Sequence, residues 1–182
     1  INFLMAPFNG LASAILGFNA QNYGKRDYER IKRGTLQTVL IMLIVSAICI
    51  AIGLLLSING TYQYIFMSTD KISAETIRYG NTFMYVDMAF YAILGFLIVV
   101  RSAVQGVFLA GYVLCAGVAE LVSRILICAF LPQIVNGGAI DSSASTAAFA
   151  AVCFGDPGAW ALASLVLLLP LFKYIIGKKY SS

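Results

Sequence analysis

The sequence predicts an all-α integral membrane protein, and three observations carry that prediction. Apolar residues make up 60% of the 182-residue chain and charged residues 11%, against about 45–50% and about 25% in an ordinary soluble domain. The apolar residues gather into five long runs almost free of charge. Histidine is absent. That removes serine–histidine catalysis, His-ligated zinc and imidazole proton relays. With a mean hydropathy of +0.88, a soluble fold of this size has too little interior to hide its apolar surface. Disorder needs the reverse composition.

A helix that crosses the hydrocarbon core needs about 20 mostly apolar residues. The runs at about 1–22, 35–58, 79–100, 107–131 and 158–176 meet that length. Barrel strands would be about 9–11 residues long with polar alternation. These runs are continuous, so helices are expected. The first two runs carry no charge. The third holds Asp87, the fourth holds Glu120 and Arg124, and the fifth holds Pro170 and Lys173. Pro7 should kink the first helix by removing a backbone hydrogen bond.

Basic residues set the expected orientation. The connection 23–34 holds Lys25, Arg26, Arg30, Lys32 and Arg33, and the tail holds Lys178 and Lys179. The connection Asn59–Arg78 balances Lys71 and Arg78 with Asp70 and Glu75. The connection 132–157 has no basic residue but carries Asp141 and Asp156. Together these place 23–34 and the C-terminus in the cytoplasm and 132–157 outside. Within the outer connection, Asn136–Ala150 reads as a flexible Gly/Ser/Ala loop. A short helix over Ala144–Phe154 that continues into the fifth run fits equally. The net charge of +4 is spent on orientation. No aromatic–basic stripe for nucleic acid accompanies it. Cys49, Cys115, Cys128 and Cys153 show no CxxC spacing, so neither a disulfide framework nor a metal site is expected. No Walker A run is present, and an enzyme is not expected.

Four segments resemble one family in its own order. Gln21-Asn22-Tyr23-Gly24 with Asp27-Tyr28-Glu29-Arg30 is similar to the Q-N-x-G-x-x-D-Y-E-R run of the MATE (multidrug and toxic compound extrusion) transporters. Arg101 to Gly106, with Gln105, resembles their R-x-x-x-Q-G. Glu120 to Arg124 resembles E-L-x-x-R, and Asp156 to Trp160 resembles D-P-x-x-W. The resemblance implies a twelve-helix transporter of two six-helix lobes. This chain would be a fragment holding the last five transmembrane helices, most of the C-terminal lobe. The implied activity is antiport, in which Na⁺ or H⁺ entry drives export of drugs or other toxic organic compounds, often cationic, across the plasma membrane. The implied partners are membrane lipids, the organic substrate and the missing N-terminal lobe of the same chain. No cofactor beyond the coupling ion is implied.

Asp87 is the candidate ion-coupling residue. It is the one unpaired charge inside a run, about eight residues from the outer end and so about 12 Å deep. A carboxylate at that depth is costly unless it faces a cavity or a partner. Burial disfavours its charged form, and a bound cation restores it. Tyr91, four residues on, should share its helix face. Glu120 and Arg124 have the spacing and order of a same-helix ion pair and form the supporting polar network. Arg101, fourteen residues beyond Asp87, is about 21 Å further along a straight helix. It is therefore expected at the cytoplasmic boundary, not as Asp87's partner.

Asn2, Ala6, Asn9, Ser13, Gly17 and Ala20 form one narrow face of the first helix. That face reads as close helix packing or as cavity wall, and Asn2 and Asn9 are the cavity-lining candidates on it. Asn81 and Tyr85 are those on the third helix. Gln21, Gly24, Arg101 and Gln105 are the motif residues next to connections. Two alternatives stand beside antiport. A lipid-linked oligosaccharide flippase of the same superfamily would want several cations in its cavity. A structural membrane subunit would not need Asp87 for any activity.

Overall fold

The computed structural model describes residues 3–68, 72–141 and 145–177; Asn2, Asp70, Lys71, Lys178 and Lys179 lie outside these. The described residues form eight α-helices and no strand. They are α1 (Ala6–Gly24), α2 (Tyr28–Ser57), α3 (Thr61–Phe66), α4 (Ala74–Ala89), α5 (Tyr91–Gly106), α6 (Ala110–Asn136), α7 (Thr146–Cys153) and α8 (Gly155–Pro170). A turn of 3₁₀ helix, Ile58–Gly60, links α2 to α3. A wider π-type turn, Leu171–Ile176, extends α8, with Gly177 N–H bonded back to the Phe172 carbonyl at 2.7 Å.

Local chemistry sets the helix ends. Pro7 occupies the first turn of α1, where a missing N–H costs nothing. The kink expected from Pro7 is therefore absent, because the helix begins there. The basic connection 23–34 is also shorter than expected. Only Lys25–Asp27 is a turn, with Arg26 at φ 59°. Tyr28 through Gly34 already belong to α2, whose first turn is capped by the Asp27 carboxylate accepting from Arg30 N–H at 3.1 Å. The side chains of Ser73 and Ser145 cap α4 and α7 in the same way. Gly137, at φ +74°, ends α6.

Three continuous helical stretches are long and apolar enough to cross a membrane: Tyr28–Ile65, Ala110–Asn136 and Thr146–Ile176. The pair α4 and α5, bent by 53° at Phe90, is a fourth if it counts as one span. The five-span expectation is thus not reproduced. α1 has the length but falls short in apolarity, since Asn9, Asn19, Gln21 and Asn22 lie along it. The third expected span, 79–100, is a broken helix. The fifth begins at Thr146 rather than 158, so Asp156 and Pro157 lie inside helix, not in the connection 132–157. The structure takes the continuing-helix alternative for that segment. The connection itself shrinks to the stretch between Asn136 and Thr146.

The buried centre is α5. Tyr91, Leu94, Leu97, Val99, Val100, Ala103 and Val104 are all enclosed by α1, α2 and α8. Two close approaches fix this core. A Cβ on Gly106 would sit 2.7 Å from the Leu16 carbonyl oxygen and 2.9 Å from Asn19 Cβ, so α1 crosses the end of α5 almost backbone to backbone. On α8, Gly155, Ala159 and Ala163 recur every fourth residue, the small-xxx-small spacing that lets helices approach closely. Gly155 rests on Cys128 and Gly158 on Ile127 of α6. The outer faces of α2 and α6 are the reverse of a soluble surface. Leu40, Ile44 and Leu55 on α2, and Leu114, Leu121 and Ile134 on α6, are exposed. That pattern suits a hydrocarbon solvent.

Candidate functional site

The α4–α5 break and the start of α8 bound a cavity of about 560 Å³. Its walls carry five charged side chains: Asp87, Arg101, Glu120, Arg124 and Asp156. Phe83, Leu94, Leu97 and Trp160 supply much of the apolar lining.

Four of the five charges form a continuous chain across three helices. Arg101 of α5 donates to Glu120 of α6. Glu120 also accepts from Arg124, one turn on, at 3.3 Å. Arg124 in turn donates through Nε to Asp156 of α8 at 2.9 Å. The expected Glu120–Arg124 pair is therefore present, extended at both ends. Arg101 lines the same cavity as Asp87. No hydrogen bond joins Arg101 to Asp87 among the described residues.

Asp87 stands apart from this chain. It is 1% exposed, in the last turn of α4, and its Oδ1 has no hydrogen-bond partner among the described residues. The nearby carboxylate of Asp156 acts on it electrostatically. Tyr91 does not share Asp87's helix face, because the chain breaks between them. It opens α5 instead. Its ring packs on Phe8 at 5.2 Å between centroids, and its hydroxyl has no partner among the described residues.

Of the cavity-lining candidates, Asn9, Asn81 and Tyr85 are not among the residues that line this cavity. Asn2 lies outside the described residues. Asn9 is exposed on α1, and its carbonyl accepts from Ser13 at 2.9 Å. The small polar face of α1 packs on no helix of the described chain, and a Cβ on Gly10 or Gly17 would meet nothing within 4 Å. Asn81 ties α4 to the end of α2 by donating to the Ser57 carbonyl at 2.9 Å. Tyr85 is 49% exposed. A second cavity of about 550 Å³ lies between α2, α3 and α4, lined by Leu4, Ile52, Leu56, Tyr62, Phe83 and Met84. Phe83 borders both cavities.

Gln21, Gly24 and Gln105 sit in the last turns of α1 and α5. There the α1–α2 and α5–α6 turns meet through Tyr23 and Phe108, with ring centroids 5.6 Å apart. Tyr174 and Ile175 join the same corner, so the basic turn and the end of the last described helix share one end of the bundle.

Sequence reasoning named Asp156 and Trp160 only as part of a motif, with Asp156 in a connection, and did not place them at the cavity that they line; it missed Asn19 altogether. Asn19 is fully buried and bridges three helices, donating to Thr35 Oγ1 and to the Ala103 carbonyl at 3.1 Å each. Its signal was available: an amide two residues before the Gln21-Asn22 motif, off the small polar stripe.

A charged cavity inside a bundle with an apolar exterior defines a polytopic membrane protein with a polar interior site. The MatE family model matches residues 1–135 of the 182, and the chain belongs to that family. Its members are transporters rather than enzymes, so this is a MATE-type membrane transporter chain. The matched stretch takes in the motifs at Gln21, Arg101 and Glu120 and ends before the one at Asp156. No curated protein and no solved structure matches the chain significantly.

Proposed function

We propose that the protein is an ion-coupled antiporter, exchanging Na⁺ or H⁺ for drugs or other toxic organic compounds, and that Asp87 is its ion-sensitive group. One observation carries the reading. A carboxylate with an unpartnered oxygen sits at the C-terminal end of a half-helix, on the wall of a cavity. Carbonyl groups at a helix end add negative character, and broken helices at a cavity are where transporters bind coupling ions. The four-charge chain is internally neutral, so Asp87 is the group left to respond to a cation. Export across the plasma membrane with the C-terminus in the cytoplasm is part of the same reading. So is an N-terminal lobe of the same chain that closes the cavity, with membrane lipids around it. The flippase reading gains nothing here, because both arginines of the cavity are held by carboxylates.

The test is Asp87→Asn in the full-length protein, assayed as dye efflux from proteoliposomes under imposed Na⁺ and H⁺ gradients. Efflux should lose its ion dependence and fall at least tenfold. Efflux that keeps both its rate and its ion dependence would remove Asp87 from the mechanism.

A further inference from the structure

Charge arithmetic in the large cavity goes one step beyond this reading and rests on it. The described lining residues hold two cations, Arg101 and Arg124, and three carboxylates, Asp87, Glu120 and Asp156. The set is one positive charge short. The shortfall is local, because every group but Asp87 is paired. Asp87 itself is buried and lines the cavity, and its Oδ1 has no hydrogen-bond partner among the described residues.

Arg124 holds the balance. It is the one residue bonded to both Glu120 and Asp156, and through it Asp156 is neutralised rather than offered to a ligand. We propose that Arg124 is a built-in counter-ion that sets the charge of the substrate this cavity accepts. With Arg124 held on Asp156, the cavity takes a ligand with one positive charge. Without it, Asp156 becomes a second anionic anchor and the cavity takes a dication. Trp160, one turn beyond Asp156, and Phe83, one turn before Asp87, supply aromatic faces beside both carboxylates, as suits a flat organic cation.

The probes are ethidium, with one positive charge, and propidium, the same ring system with a second, quaternary ammonium charge. Affinities of both are measured by calorimetry on the purified full-length protein. Removing one unit charge from a partly dry cavity changes affinity by about tenfold per ligand charge. Arg124→Gln should therefore tighten ethidium about tenfold and propidium more, moving their affinity ratio about tenfold toward propidium. Asp156→Asn should weaken ethidium about tenfold. The double variant restores the original net charge and should return the ratio close to wild type.

A ratio unchanged in Arg124→Gln and in Asp156→Asn overturns the proposal. So does a shift that persists undiminished in the double variant, since that is a change of shape rather than of charge. If Arg124→Gln does not fold, Asp156→Asn and the double variant carry the test. Loss of both ligands in those two variants makes the pair a fold support only and also overturns the proposal. Asp87→Asn, run alongside with and without Na⁺, separates the two levels: dye affinity unchanged by it overturns the charge count, and Na⁺ competition that survives it sinks the ion-site reading.

Discussion

Substituting Gly106 by alanine tests the packing that holds the charged cavity in place. Gly106 ends α5, five residues after Arg101. A Cβ there would meet the Leu16 carbonyl oxygen at 2.7 Å and Asn19 Cβ at 2.9 Å. Ordinary contacts of this kind lie at 3.4–4 Å, so α1 and α5 must separate by about half an ångström or more. The first obstacle is backbone, which cannot rotate away as a side-chain tip can. Overpacking of this sort costs about 1–3 kcal/mol. The separation also stretches the Asn19 bond to the Ala103 carbonyl, now 3.1 Å. A bond of that kind is worth about 0.6 kcal/mol on average between membrane helices. The expected total is about 2–3 kcal/mol, or a fall in Tm of several degrees. The assay is thermal unfolding of the purified full-length protein in detergent, followed by a thiol-reactive dye. Gly111→Ala on α6 is the control. Its Cβ would meet nothing within 4 Å, and alanine in a helix is worth about 0.5–1 kcal/mol over glycine. The reasoning fails if Gly106→Ala melts with wild type.

Glu120→Gln leaves Arg101 and Arg124 without their shared carboxylate. The three groups are partly open, with side-chain exposures of 32%, 18% and 40% for Arg101, Glu120 and Arg124. The expected loss is therefore only about 1 kcal/mol, read as a small drop in Tm, and a drop above 10 °C would contradict it. For orientation, a single cysteine at Arg26 should react with a membrane-impermeant maleimide only after the cells are opened, and one at Gly138 in intact cells. The reverse pattern would invert the proposed topology. Hydrogen exchange with and without Na⁺, at constant ionic strength, should change most in 74–89, the half-helix that ends at Asp87. An equal change across α5 and α6 would count against a local site at Asp87.

Long apolar runs without charge made helices legible, and length alone separated them from strands. The ends were less legible. Tyr28–Gly34 looked like a connection because it is polar, yet the Asp27 cap and helix-forming Glu29, Arg30 and Lys32 extend α2 through it. Thr146–Cys153 is short and Ala-rich, and only its Ser145 cap marks it as the first turns of the last helix. The Phe90 break has no proline or glycine to announce it. It puts Asp87 and Tyr91 on two different helices, which their spacing of four does not announce. Within one helix the Glu120–Arg124 pair followed from i,i+4 geometry. Its partners Arg101 and Asp156 lie on other helices, and no local pattern encodes which helices meet. The same limit explains the small-residue stripes: α1's was noticed and packs on nothing described, while Gly155, Ala159 and Ala163 were passed over and do the packing.

The arrangement of the five charges explains why so polar a cavity is compatible with an apolar bundle. An isolated charge inside a membrane helix costs about 2.5–3.5 kcal/mol on insertion scales, so five independent ones would defeat the fold. The alternation Arg101, Glu120, Arg124, Asp156 removes four of them from that sum, because each charge is met by its opposite on a neighbouring helix. The pairs also cross-link α5, α6 and α8, and Gly155 and Gly158 let α8 pack closely on α6. What remains is a single carboxylate on α4, the half-helix joined to that block across a 53° bend. A ligand moves an equilibrium only by the difference between its affinities for the two states. A cation at Asp87 has such a difference available if α4 shifts against the fixed block, since the distance from Asp87 to the paired charges then changes while theirs to each other do not. On the proposed reading, neutral pairing lets the cavity exist, and the one unmatched group takes the response to a cation.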